Sequence, residues 1–107
     1  MQINLSEALN LLKKGEINKS KDICEKILKK DKKNSEVYNL YGFTLYFDKK
    51  FDEAIISWKK AIDINPRYIE AFNGLGNAFL KLEKIDLAVE NFEEAVKINS
   101  NYFEAYC

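Results

Sequence analysis

Residues 71–79 read AFNGLGNAF, and the glycine pair Gly74 and Gly76 has the spacing that begins a phosphate-cradling turn. In such a turn bare backbone N–H groups approach a pyrophosphate at the start of a helix. That chemistry needs a strand immediately before the glycines, and nothing strand-like precedes Ala71. A second stretch, YNLYGFTLYF (residues 38–47), carries Gly42 in the same surroundings, with no second glycine and no loop signal. Both segments therefore read as helix. A glycine inside a helix costs about 1 kcal/mol relative to alanine, so Gly42 and Gly76 should mark places where a partner helix comes too close for a side chain.

The other reactive residue types are sparse. The chain has no histidine, which removes the commonest general base and metal ligand and any Ser–His or Cys–His nucleophile. Two cysteines, Cys24 and Cys107, are too few for a disulfide framework or a zinc site. Cys24 reads as an inert core residue, and Cys107 as a terminal thiol open to adventitious oxidation. The acidic pairs Asp52-Glu53 and Glu93-Glu94 fall at helix starts and on polar faces, where solvation accounts for them. The expectation is a chain without enzymatic activity, cofactor or metal.

Lys+Arg and Asp+Glu both number 17 in 107 residues, so overall charge recruits neither nucleic acid nor an acidic membrane surface. The charge is nevertheless uneven. Nine lysines lie in residues 13–33 against four acids, whereas residues 83–107 hold six acids and two lysines. The run KKDKK (29–33) lacks the interleaved aromatics of a single-strand nucleic-acid site and reads as a solvated turn. No apolar run reaches membrane-spanning length, and the N-terminus does not resemble a signal peptide. These features predict a cytoplasmic domain that binds neither membrane nor nucleic acid.

Apolar residues recur at three- and four-residue spacing along most of the chain, broken by KKGEIN, KKDKKNS, DKKFD, NPRY, EKID and NSNY. The pattern predicts six short helices and no strands. Displacing the sequence by 34 residues superposes Glu36 on Glu70, Asn39 on Asn73, Gly42 on Gly76, Ala54 on Ala88, Ala61 on Ala95 and Tyr68 on Tyr102. Trp58 falls on Phe92 and Phe51 on Ile85. The period and the residue types resemble the tetratricopeptide repeat family: Tyr38, Tyr41-Gly42, Leu45, Ala54, Trp58, Ala61 and Pro66 in one unit, Phe72, Leu75-Gly76, Phe79, Ala88, Phe92 and Ala95 in the next. Ser100 stands where that pattern has proline. Residues 1–34 fit loosely, through Ala8, Leu11, Ser20, Cys24 and Ile27. The resemblance implies an all-α fold of antiparallel helix-turn-helix repeats stacked in a right-handed α-solenoid. Its units would be a degenerate repeat over about 1–34, repeats at 35–68 and 69–102, and the start of a truncated fourth at 103–107. The second helix of each unit is expected to start at an Asx cap, at Asn18, Asp52 and Asp86.

The resemblance further implies a protein-interaction scaffold whose first helices line a concave groove for a peptide or helix. Aligned by repeat, that groove would comprise Leu9, Leu12, Glu36, Asn39, Phe43, Tyr46, Phe47, Glu70, Asn73, Asn77, Leu80 and Lys81, with Gln2, Leu5 and Lys13 beside them. Asparagine amides both donate and accept, so Asn39, Asn73 and Asn77 could hold a peptide backbone without demanding a sequence. Some members of the family clamp a chaperone's C-terminal carboxylate with basic groups on this surface. Here Leu5, Leu9, Glu36 and Glu70 occupy those places, which disfavours an acidic ligand. The cluster Leu9, Leu12, Phe43, Tyr46 and Phe47 is either an exposed docking patch or part of the core. Val89, Phe92 and Val96 close the last hairpin and lack an evident cover. The chain is accordingly expected to be a fragment of a longer array, or a homo-oligomer stacking end to end through its C-terminal hairpin.

Overall fold

A computed structural model describes the backbone of residues 4–105 and the side chains of residues 4–99. Six helices follow one another: α1 (Leu5–Lys13), α2 (Ile17–Lys30), α3 (Ser35–Phe47), α4 (Phe51–Ile64), α5 (Ile69–Lys81) and α6 (Ile85–Ala105). No strand occurs among the described residues. Helices pair as hairpins α1–α2, α3–α4 and α5–α6, and each hairpin packs on the next through α2–α3 and α4–α5. The first helices also touch, α1 on α3 and α3 on α5, whereas among the described residues the backbones of α2 and α4 do not meet, nor those of α4 and α6. A stack in which one set of helices is in contact and the other is splayed must curve, with α1, α3 and α5 on the inside. The chain is thus an all-α solenoid of helix hairpins.

The 34-residue period is visible in the turns. Gly15, Lys49 and Glu83 have positive φ of 82°, 63° and 60°. Each closes its first helix with the same two bonds: Gly15, Lys49 and Glu83 N–H donate to Leu12, Tyr46 and Leu80 carbonyls, and the following N–H donates to Leu11, Leu45 and Phe79. This left-handed cap suits glycine and strains an L-residue by about 1–2 kcal/mol. The first unit, loosest in its signature residues, has the unstrained version. Lys49→Gly is therefore expected to raise stability by about 0.5–1 kcal/mol once glycine's extra unfolded-state freedom is subtracted. A urea denaturation midpoint no higher than that of the parent would contradict it.

Two local expectations are corrected. Asn18, Asp52 and Asp86 do not cap their helices. The cap positions of α2 and α4 lie two residues earlier, at Glu16 and Lys50, and neither has a side-chain cap. Asp52 and Asp86 lie in the first turn, where a carboxylate complements the helix dipole. The side-chain caps are Asn4, accepting from Glu7 N–H at 2.9 Å, and Asn34, accepting from Val37 N–H at 3.2 Å. Second, α6 runs through residues 99–102, where the NSNY break was expected. α4 ends at Ile64, with Asn65 extended before Pro66. Proline forbids the preceding residue a helical conformation and clashes with the helix behind it, and Ser100 does neither.

Trp58 organises the core. It is 0 % exposed and lies in one cluster with Leu45, Ala54, Ala61, Ala71, Leu75, Ala78 and Phe79. A Cβ added to Gly42 would come within 2.6 Å of its ring, and one added to Gly74 within 2.4 Å. Gly76 stands in the same relation to Phe92, at 2.5 Å. Both glycines of AFNGLGNAF are thus required, Gly74 by the hairpin before it and Gly76 by its own. A smaller cluster joins Ala8, Cys24, Val37 and Leu40. There Cys24 replaces Trp58 and Leu40 replaces Gly74, so a small residue on one helix is answered by a large one on the next.

Candidate functional site

The inner surface is formed by the faces of α1, α3 and α5 that their own second helices leave free. Four of the expected groove residues, Leu9, Leu12, Phe43 and Phe47, line one hollow of about 620 Å³ between α1 and α3. Lys13, Gly15, Ile17 and Leu40 complete it. Leu9 and Phe47 are exposed, at 39 % and 56 %, and Leu12 and Phe43 are half-buried. An apolar hollow with two large side chains turned to water is a surface that gains by being covered. Ile17 was not expected in this group. Its repeat mates Phe51 and Ile85 were legible in the sequence, but nothing in their spacing says which lie at the hollow's edge.

Phe43 has a second duty. Its ring meets Trp58 edge to face with centroids 5.1 Å apart, so it supports the core as well as lining the hollow. Tyr46 belongs more to that aromatic group than to the hollow. Its ring lies 5.6 Å from Phe47, 5.3 Å from Phe51 and 6.0 Å from Trp58.

The row of amides is not uniform. Asn39 Oδ1 accepts the Trp58 indole N–H at 3.1 Å, which commits its carbonyl to the core. Asn73 is exposed, and the residue in the place of Trp58 one repeat later is Phe92, which has no N–H to offer. Asn77, Leu80 and Lys81 are exposed with Asn73 on α5. None of these four lines the apolar hollow.

Glu36 and Glu70 come together elsewhere, at the inter-repeat turn. With Ser35, Asn65, Arg67, Tyr68 and Ile69 they line an open hollow of about 470 Å³. Burial raises the Tyr68 phenol above its ordinary range, the charges of Glu70 and Glu36 push the same way, and a hydrogen bond with Asn39 opposes them. Its lining sets two carboxylates, Glu36 and Glu70, against one guanidinium, Arg67.

Among the described residues no group of three or more His, Cys, Asp or Glu could hold a metal ion. No helix among them is long and apolar enough to cross a membrane.

Comparison with known proteins places these features. The family description "TPR repeat" matches residues 44–83, and "Tetratricopeptide repeat" matches residues 69–102. Among curated protein sequences no significant match is found. Several solved structures share the fold. The first TPR of Spaghetti (RPAP3), bound to the HSP90 peptide SRMEEVD, is 24% identical over 94% of this chain and 80% of its own, with a TM-score of 0.86. MamA is 21% identical over 91% of this chain and 57% of its own, with a TM-score of 0.87. The Yersinia enterocolitica type III secretion translocator chaperone SycD is 16% identical over 90% of this chain and 73% of its own, also at 0.87. At such identities the likeness establishes the architecture.

Proposed function

Because the chain belongs to the tetratricopeptide repeat family, we propose that it is a non-enzymatic protein-interaction scaffold that takes a peptide or helix on its inner surface. One observation carries the reading: Leu9, Leu12, Phe43 and Phe47, from two hairpins, line a single apolar hollow there. An apolar side chain of the ligand would anchor in that hollow. The exposed amides of Asn73 and Asn77 would hold its backbone, and Leu80 and Lys81 would flank it.

The ligand differs from that of the RPAP3 structures, whose peptide SRMEEVD is acidic at its end. Leu9 helps to make this surface apolar, and in the other hollow Glu36 and Glu70 outnumber Arg67. An apolar or basic segment fits better than a terminal carboxylate. Neither nucleic acid nor membrane is part of this proposal, and a cytoplasmic setting is.

Phe47 is the residue on which to test it, since it is exposed and Phe43 is tied to Trp58. Peptides selected from a display library against the parent chain should bind Phe47→Ala at least ~10-fold more weakly, the loss expected for one large apolar anchor. The melting temperature should stay within about 2 °C. Selected peptides whose affinity is the same for Phe47→Ala and Leu9→Ser would rule the hollow out as the binding site.

End-to-end self-association is the competing reading, and one observation favours it: Val89 and Val96 on α6 are 48 % and 64 % exposed. α3 docks on α2, and α5 on α4, with the positions of Val37, Leu40, Tyr41 and Thr44 or Ala71, Gly74, Leu75 and Ala78. One period earlier these are Ile3, outside the described residues, and Ser6, Glu7 and Asn10, all exposed. The three described positions are polar and have little to set against valine.

A further inference from the structure

We propose that the apolar hollow takes an extended peptide segment of another protein, carrying a large apolar residue with aspartate or glutamate about three residues away on either side. The inference rests on the hollow being the binding site and adds the charge of what binds there. Lys13, Phe47 and Lys81 follow one another at 34-residue intervals and hold the same register position in α1, α3 and α5. All three are exposed, and α3 touches both α1 and α5. The exposed ring of the hollow thus has a lysine at its own register position on each neighbouring helix. Packed helices lie roughly 8–10 Å apart, a distance that an extended chain covers in about three residues. A helical ligand would keep its backbone bonded to itself and offer nothing to the amides of Asn73 and Asn77.

The charge beside the hollow has one sign. Among the described residues Lys13 is the one charged residue that lines it. Lys14 lies between two lining residues, Lys13 and Gly15, and Lys49 follows Phe47 by two residues in the turn. The acids of the same turns are engaged, Glu16 with Lys19 at 2.9 Å and Asp48 with Lys50 at 4.0 Å. Lys13, Lys14 and Lys49 enter no ion pair among the described residues. Lysines at a helix C-terminus ordinarily complement its dipole, but the ends of α1 and α3 are worth only about half a charge each. Set against three lysines, they leave about two positive charges for a ligand to meet.

The carboxylates that disfavour an acidic ligand are at the other end of the same helices. Glu36 and Glu70 stand in the first turns of α3 and α5, about 16 Å from Phe47 and Lys81 along the helix axis. A peptide that crosses the C-terminal ends of α1, α3 and α5 does not approach them. Acidic residues of the ligand are matched at the lysine edge and mismatched at the glutamate edge, which fixes where the segment lies as well as its charge.

The probe is a peptide blocked at both ends, with a central phenylalanine flanked on each side by one serine and then two glutamates. Its twin has lysine for every glutamate. At low salt the glutamate probe should bind the chain at least ~10-fold more tightly than the twin, measured by fluorescence anisotropy, with the difference lost in concentrated salt. Lys13→Glu with Lys81→Glu should reverse the order of the two peptides. Both positions are exposed at helix ends, so the variant should fold, which circular dichroism would verify. Lys29→Glu with Lys30→Glu, in the last turn of α2, should leave the preference unchanged. Phe47→Ala should weaken the glutamate probe at least ~5-fold. A twin that binds equally well, or a preference that survives Lys13→Glu with Lys81→Glu, would overturn the charge assignment and leave the hollow standing as the site. A preference lost in Lys29→Glu with Lys30→Glu would overturn it too, since α2 would then be holding the acids. Absence of binding would do the same, and binding indifferent to Phe47→Ala would remove the hollow as well. A sedimentation dimer that Phe47→Ala dissolves would give the hollow to a second copy and end the proposal.

Discussion

Replacing Trp58 by leucine is expected to lower stability by about 2–4 kcal/mol and to reverse the sign of a second substitution, Gly74→Ala. In the parent chain the alanine Cβ would lie within 2.4 Å of the indole. The ring has little room to retreat. Its N–H is bonded to Asn39, Phe43 abuts it edge-on, and Gly42 lies on its other contact with a hypothetical Cβ distance of 2.6 Å. Overpacking of this kind costs roughly 1–3 kcal/mol, more than the ~1 kcal/mol that alanine adds in helix propensity. With leucine at 58 the obstruction is gone and only the propensity gain remains. Gly74→Ala should then stabilise. Urea denaturation of the two single variants and the double variant measures the coupling. Alanine destabilising both backgrounds equally would mean that Gly74 answers to something other than Trp58.

That cycle depends on contacts of two kinds, and only one was readable from the chain. The 34-residue period exposed the hairpins, the helical setting of Gly42 and Gly76, and the equivalence of Trp58 and Phe92, because helix packing repeats the same small-against-large contact in every unit. The period assigns no role to Gly74, since its partner belongs to the preceding hairpin and the period compares like positions, not facing ones. The same blindness applies to Asn39. Its match with Asn73 suggested equal duties, yet Asn39 is bound by an indole that the next unit lacks. The alignment placed the candidate groove residues on α1, α3 and α5. It did not separate the apolar hollow around Leu9 and Phe47 from the acidic one around Glu36 and Glu70. That separation depends on the angle between hairpins, which arises from side-chain volumes at the seats and not from any local pattern. The continuation of α6 through residue 100 was missed for a simpler reason: a polar run with no proline permits a turn without enforcing one.

In a Cys107→Ser background, Cys24 should react with a disulfide reagent at pH 8 on the order of a thousandfold more slowly than an unstructured thiol. Cys24 is 0 % exposed, enclosed by Ala8, Val37 and Leu40 with Leu12, Ile23 and Ile27 around them. Burial pushes its thiol from 9.0 up to about 12, the Glu25 charge adds to the effect, and the Ser20 hydroxyl opposes it. The thiolate is the attacking species, and at pH 8 its fraction falls about tenfold for each unit by which the pKa rises. The same shift has a consequence for stability. Below pH 9 both folded and unfolded chains hold the proton, so Cys24 contributes no pH dependence. Above it the unfolded chain releases the proton and the native chain retains it, so stability falls by about 1.4 kcal/mol per pH unit toward 12. Tyr41, pushed up to about 12 chiefly by burial and also by its bond to Glu25, adds a smaller decline above pH 10, reduced by its contact with solvent. Cys24→Ala should therefore remove most of the fall between pH 9 and 10 and leave the remainder. A native Cys24 that labels as fast as a free thiol would mean that α1 and α2 do not close over it. The hollow around Leu9 and Leu12, built on that hairpin, would then lose its floor.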